Sequence, residues 1–187
     1  MADRVSFSGE HLGLPKVAAH HRDLESSLRL YFSVGSPSYL VRFAGYLASE
    51  VTGELGERVE EADLTSSLTV LAAVEAAFRI DYLKRCYGKK KDPVSRALRG
   101  IYKKKQEKAS LEDEIFEAWI SNSSGTRTLI GELRGAFRFR HWLAHGRYWT
   151  AKLGNATTLT TFSRSPIKRC SAFRFTDLML ETDGLAV

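Results

Sequence analysis

Residues 64–88 read LTSSLTVLAAVEAAFRIDYLKRCYG, and their period decides the fold class. Leu64, Leu68, Leu71, Phe78 and Tyr82 recur at steps of three, four and seven, the spacing of one helix face, and Gly88 ends the pattern. A helical period held this long outlasts any ordinary strand, so the chain is expected to be all-α. One position breaks the apolar seam. Glu75 lies between Leu71 and Phe78, and a carboxylate there needs a cationic or hydrogen-bonding partner. Arg79, one turn on, stands in the favoured acid-first order.

Further helices follow on both sides. Towards the amino end, Pro15 suits a first helical position, and a stripe of Val17, Leu24, Leu28, Tyr31 and Phe32 runs to a stop at Gly35-Ser36-Pro37. A second helix is expected with Leu40, Phe43, Leu47 and Val51 on one face, after which Gly53 and Gly56 loosen the chain. Towards the carboxyl end, Asp92-Pro93 opens a fourth helix with Val94, Leu98, Ile101 and Tyr102 inward. Ser110 caps a fifth, with Asp113 standing in for the capping-box Glu, and Leu111, Ile115, Phe116 and Trp119 facing inward. Ser121 to Gly125 closes it. The sixth runs from about residue 128 to His145, ended by Gly146 in a left-handed turn, with an inner stripe of Leu129, Leu133, Phe137, Arg140 and Ala144. After Trp149 the helical period fades. Residues 157–162 and 172–175 have strand composition and suit a small β-hairpin, with a last helical turn near 177–181. The expectation is one domain, an antiparallel bundle of five to six helices over about 15–149 with an appendage over 150–187.

The totals agree with that architecture. Of 187 residues 43% are apolar, enough for a core without disulfides or metal staples, and no apolar run approaches membrane-helix length. The first residues lack the apolar centre of a signal peptide, so a cytoplasmic protein without a membrane partner is expected. Cys86 and Cys170 share no motif and read as idle thiols. His20 and His21 read as surface residues of the first helix. Lys plus Arg is 28 against 22 acids, a net charge of +6 that favours a phosphate-bearing partner. The excess is concentrated. Eleven of the residues from Lys84 to Lys108 are basic, including Lys89, Lys90 and Lys91, and only Asp92 and Glu107 oppose them. Two readings stay open for this run: a solvated helix face with its loop, or an RNA-binding surface, to which Arg147 would add.

The chemistry-bearing residues gather at the close of the sixth helix, in Arg140-His141-Trp142-Leu143-Ala144-His145-Gly146-Arg147-Tyr148-Trp149. Arg140 occupies a position where the stripe calls for an apolar residue. Histidine exchanges protons near neutrality, and a helix carboxyl end favours its protonated form. Arginine stays charged and offers a planar fork to phosphate oxygens. Together Arg140 and His145 suit cleavage of RNA by attack of a ribose 2′-OH on the adjacent phosphate, leaving a 2′,3′-cyclic phosphate and a 5′-OH. RNA supplies its own nucleophile, so neither metal nor cofactor is required. Other roles stay open beside these: an ion pair with Glu75 for Arg140, which is compatible with catalysis, and a capping role for His145. His141 and His145 are four apart, half of a metal site. However, no Glu follows His141 as in H-E-x-x-H and no third ligand is evident, so no metal is expected. Trp142, Tyr148 and Trp149 read as core or dimer contacts, with base stacking open to Tyr148 and Trp149.

The spacing Arg140-x-x-x-x-His145, within an R-x-x-x-A-H-G run, resembles the signature of the HEPN superfamily of helical-bundle proteins. Many of these are metal-independent ribonucleases of toxin–antitoxin, phage-defence and RNA-processing systems. The resemblance spans about Pro15 to Trp149. It implies a homodimeric endoribonuclease with Arg140 and His145 catalytic and His141 and Tyr148 in support; Glu75, through its pairing with Arg140, is read separately as the carboxylate that orients the guanidinium. It also implies an antitoxin or nucleotidyltransferase as a further partner, or else a catalytically silent module that binds RNA or protein. In HEPN toxins paired with a nucleotidyltransferase a Tyr commonly sits two residues after the His. Here Arg147 holds that place and Tyr148 follows, so inactivation by modifying the Tyr is not carried over. A spacing of five also sets Arg140 and His145 about 140° apart around an ideal helix, so they converge only if the helix frays near Gly146 or if two chains share one site.

Overall fold

The structure, a computed structural model, describes residues 6–10 and 12–148. Among them are six α-helices and no strand: α1 (Leu14–Tyr31), α2 (Tyr39–Arg42), α3 (Ala48–Tyr87), α4 (Pro93–Lys105), α5 (Phe116–Asn122) and α6 (Thr126–Ala144). The all-α expectation holds for these residues. The expected hairpin and last helical turn, like Cys170 and Trp149, lie outside them. No described helix is long and apolar enough to cross a membrane. The chain divides into two compact units, residues 13–70 and residues 71–148, the latter joined by the described residues before Gly13.

In the unit of residues 13–70, Pro15 stands in the first turn of α1 as its fixed φ requires. Val17 and Val70 form a small core with Leu14 and Ala18 packed on it. His21 is not a surface residue: it is buried, with Nδ1 3.0 Å from Ser66 Oγ and Nε2 3.0 Å from Asp63 Oδ1. It sits one turn after Val17, at the place on the α1 stripe that the apolar residues skip. His20 is exposed, as expected.

The second helix is much shorter than its apolar spacing predicts. It ends at Arg42, and Leu40 and Val41 are more than 80% exposed. Nearby side-chain contacts favour a turn instead: Phe43 stacks on Phe32 (5.2 Å) and lies edge-on to Tyr46 (6.1 Å). The Arg42 guanidinium lies 3.7 Å over the Tyr31 ring and donates to the Tyr31 carbonyl and Ser36 Oγ. Gly53 and Gly56 do not loosen the chain either; both lie inside α3. Each costs about 1 kcal/mol in a helix interior. They stand among Glu50, Glu54, Leu55, Glu57 and Arg58, which favour helix, and the Glu50 carboxylate caps the start by accepting from the Leu47 N–H at 2.7 Å.

The unit of residues 71–148 holds the larger core. Leu71, Phe78, Leu98, Ile115, Phe116 and Ile130 are fully shielded, with Tyr82 and Trp119 nearly so. Phe78 meets Phe116 edge-on at 4.9 Å, and Tyr82 donates to the Gln106 carbonyl at 2.7 Å. The expected caps of α4 and α5 form, one of them shifted. Asp92 accepts from the Ser95 N–H at 2.9 Å. Ser110 Oγ accepts from the Asp113 N–H, but it is Glu114 that reaches back to the Ser110 N–H (2.7 Å). The reason is a π-turn over Leu111–Ile115, in which the Ile115 N–H bonds to the Ser110 carbonyl five residues back. A wider turn brings the fourth residue to where an α-turn brings the third.

Arg85 is an exception within the basic run, which otherwise reads as a solvated face or an RNA-binding surface. It is 2% exposed, donates to both oxygens of Asp81 (2.9 and 2.7 Å) and to Ser95 Oγ (3.1 Å), and lies 4.9 Å from the Trp119 ring. Through it α3, the start of α4 and α5 share one charge. Replacing Arg85 with Leu strands Asp81 and is expected to cost about 3 kcal/mol in urea unfolding, with much of the loss recovered in the Arg85→Leu/Asp81→Leu double variant.

Candidate functional site

Helix α6 positions the candidate residues. It follows Gly125, whose φ of 83° is open to glycine without strain, and its buried face is Thr126, Ile130, Leu133, Phe137 and Leu143. Leu133 and Phe137 are buried as the expected stripe has them, while Leu129 is half-buried and Ala144 exposed. Arg140 stays on the edge of the buried face, half-buried. Its Nη1 donates to Glu75 Oε2 on α3 at 2.5 Å. Glu75 Oε1 accepts from Arg79 Nε at 2.9 Å, and Arg79 Nη1 reaches the Ala109 carbonyl. The carboxylate thus holds two guanidiniums, the expected one on its own helix and one across the bundle.

Burial pushes the Glu75 carboxyl up, but the hydrogen bonds and charges of Arg79 and Arg140 outweigh it and hold it below the ordinary Glu value. Beside the pair lies a hollow of about 460 Å³ lined by Glu75, Arg79, Ser110, Glu112, Phe137 and Arg140, among others. Neither histidine of the motif lines it.

The end of α6 does not fray. The His145 N–H bonds to the His141 carbonyl, the Gly146 N–H to Leu143 and the Arg147 N–H to Trp142. With Gly146 at φ 78°, this is a closed left-handed cap, as its Ala-His-Gly sequence predicts. The helix therefore keeps its pitch from Arg140 to His145, and the two side chains leave it on different sides. Arg140 turns to α3. His145 and His141 are both exposed, and their rings lie 4.2 Å apart. In this arrangement the helix end is closed at Gly146 and does not bring Arg140 and His145 together within one chain.

The supporting residues fall as follows. Tyr148 is 84% exposed, which excludes a core role within the described residues. Arg147 is exposed in a left-handed turn (φ 58°). Phe139 is buried and stacks on Trp142 at 5.7 Å, so it serves the core. Lys89 and Lys91 are exposed, while Lys90 is half-buried and its carbonyl accepts from Arg99 Nη1. Most of the remaining lysines between 84 and 108 face solvent. Sequence reasoning missed the link from Arg79 to Ala109. Cys86 is buried, and burial pushes its thiol up to about 11, the idle thiol expected. Among the described residues no group of three or more His, Cys, Asp or Glu is placed to hold a metal.

Among the described residues, fold and site are all-α, with a half-buried carboxylate–diguanidinium cluster and an exposed histidine pair at the end of one helix. Compared with protein-family models, curated proteins and solved structures, the chain matches none.

The Glu75 cluster has a pH signature. Because its folded pKa is lowered, the unfolded chain takes up more protons on acidification. The stability it gives is complete above the ordinary value of 4.5 and is lost as pH falls through the depressed folded value. Glu75→Gln is expected to lower stability at neutral pH and to flatten the acid limb of a ΔG-versus-pH curve. A variant curve parallel to wild type below pH 4.5 would refute this.

Proposed function

We propose that the chain is a metal-independent endoribonuclease of the HEPN type, acting as a homodimer on RNA in a toxin or defence setting. The observation that supports this most is Arg140: a guanidinium placed on an apolar helix edge, aimed by Glu75, five residues before a solvent-exposed histidine in an intact helix end. Arg140 steadies the anionic transition state. His145 moves the proton of the 2′-OH or of the departing 5′ oxygen. Because one α6 sends the two groups to different sides, the reading calls for a second chain. A two-fold axis near α6 places the Arg of one copy beside the His of the other, so that one His acts as base and its mate as acid. His141 and Tyr148 flank the site. An antitoxin or nucleotidyltransferase would be the controlling partner.

A second reading is favoured by a specific observation. Arg140 is already engaged by Glu75, and the hollow beside it carries three carboxylates, of Glu75, Glu112 and Asp113, against two guanidiniums. That balance suits a structural ion pair in a catalytically silent module, with RNA or a protein held on the exposed lysines. Incubation with RNA in EDTA separates the readings, since only the enzyme leaves cyclic-phosphate ends. Arg140→Ala and His145→Ala should each cut the rate by about 100-fold or more with the helical circular-dichroism spectrum unchanged. Full activity in either folded variant would sink the catalytic assignment.

The lysines give affinity and no chemistry in both readings. Changing Lys89, Lys90 and Lys91 together to Gln should weaken single-stranded RNA binding. It should also reduce the slope of log K against log salt by about 2, the share of three phosphate contacts at about 0.7 each. An unchanged slope would make the segment a solvated face.

A further inference from the structure

We infer that residues 30–47 form a docking surface for a second copy of this chain. This two-fold contact is separate from the one proposed near α6 and does not rest on the ribonuclease reading. Seven of the eleven large apolar side chains exposed among the described residues fall in this stretch. Leu40 and Val41 of α2 are 81% and 84% exposed, and Leu30, Val34 and Leu47 are also well exposed. Tyr31 and Tyr46, each about half exposed, belong to a cluster of rings built around Phe43. Phe43 lies 6.2 Å from Tyr31, 5.2 Å from Phe32, 5.1 Å from Tyr39 and 6.1 Å from Tyr46. Phe32 is buried and anchors the cluster. Backbone bonds from Ser36 to Ser33, from Tyr39 to Ser36 and from Tyr46 to Phe43 turn the stretch back on these rings. The exposed side chains therefore stand on a packed support, and little ordering is left to occur on binding.

Area and charge identify the occupant. At roughly 100 Å² for each large apolar side chain, the seven offer about 700 Å². That exceeds the roughly 300–600 Å² of the largest apolar patch on a typical monomer and comes close to the about 800 Å² each partner gives to a stable interface. Charge is nearly absent. From Leu30 to Leu47 only Arg42 is charged, in a chain where 27% of residues are, so RNA or a charged peptide finds no counter-charge there. Arg42 itself is engaged within the stretch, over the Tyr31 ring and bonded to the Tyr31 carbonyl and Ser36 Oγ. An anionic lipid surface is disfavoured as well, because Glu50, Glu54 and Glu57 follow at the start of α3 against Arg58 alone. An uncharged apolar surface is its own complement: in a two-fold contact each patch meets its copy, and no like charges are opposed at the centre.

The test uses the untagged full chain over a range of concentrations, without RNA. Sedimentation is expected to show an associated species, and the Leu40→Glu/Val41→Glu variant to lose one two-fold contact. A tetramer becomes a dimer if α6 also pairs chains, and a dimer becomes a monomer if it does not. The association constant at this face should fall about 100-fold or more. Both side chains are more than 80% exposed, so the helical circular-dichroism spectrum should stay as in wild type. A second measurement needs no substitution: the methyl signals of Leu40 and Val41 in wild type should become shielded from a soluble gadolinium chelate only as the chain concentration rises. Four results would overturn the surface: an associated mass unchanged in the variant, methyls open to the chelate at every concentration, methyls shielded where the chain sediments as a monomer (cover by residues 149–187), or shielding gained only on adding phosphatidylserine vesicles. Because no RNA is present, none of these bears on the ribonuclease assay.

Discussion

A carboxylate on a half-buried helix seam cannot stay charged without cations, and the arrangement of residues 71–148 around Glu75 follows from that constraint. Its charge draws Arg79 along α3 and Arg140 across from α6, and Arg79 in turn holds the Ala109 carbonyl just before the π-turn. Three separate stretches of chain are therefore referred to one carboxyl group. Apolar packing alone would allow α6 to rotate by a residue at small cost, since Leu129, Ile130, Leu133 and Phe137 offer more than one acceptable face. The ion pair adds a polar tie between α6 and α3 to that packing. With Arg140 bonded to Glu75, the two histidines of the helix end are exposed.

Much of this is legible in the sequence. The period of residues 64–88, the Asp92 and Ser110 caps and the Ala-His-Gly ending of α6 rest on local rules, and local rules survive folding. Glu75 stood out because a charge on an apolar seam demands a partner, and both partners named for it are the ones found. What failed did so where local patterns meet tertiary contacts. The spacing of Leu40, Phe43, Leu47 and Val51 is helical, yet Phe43 stacks on Phe32 and only Val51 among them is fully buried. Glycine at 53 and 56 weakens a helix without ending one whose neighbours favour it.

Polar residues that take apolar places were the hardest to read. His21 fills a gap in the α1 stripe, where a Leu would have been recognised at once, and Arg85 hides within a run of lysines. In each case the carboxylate that makes burial tolerable lies on another turn or helix: Asp63 for His21, Asp81 and Asp92 for Arg85. Burial also pushes the carboxyls of Asp63 and Asp81 up, so both pairs sit where desolvation and attraction are closely opposed. A search of each stripe for its missing member, followed by a search for a carboxylate to match, would have found both.

The π-turn at Leu111–Ile115 has a consequence for how the chain tolerates changes of length. It is one residue more than an α-turn needs, stored in a bulge and held by Ser110 and Glu114. Relatives lacking a single residue here would keep the Ile115-Phe116-Trp119 core and lose only the bulge. Their capping acid would then fall three residues after the Ser in place of four. Alignments forced through this segment without a gap would misplace every residue before it by one, and would set Ser110 opposite Ala109.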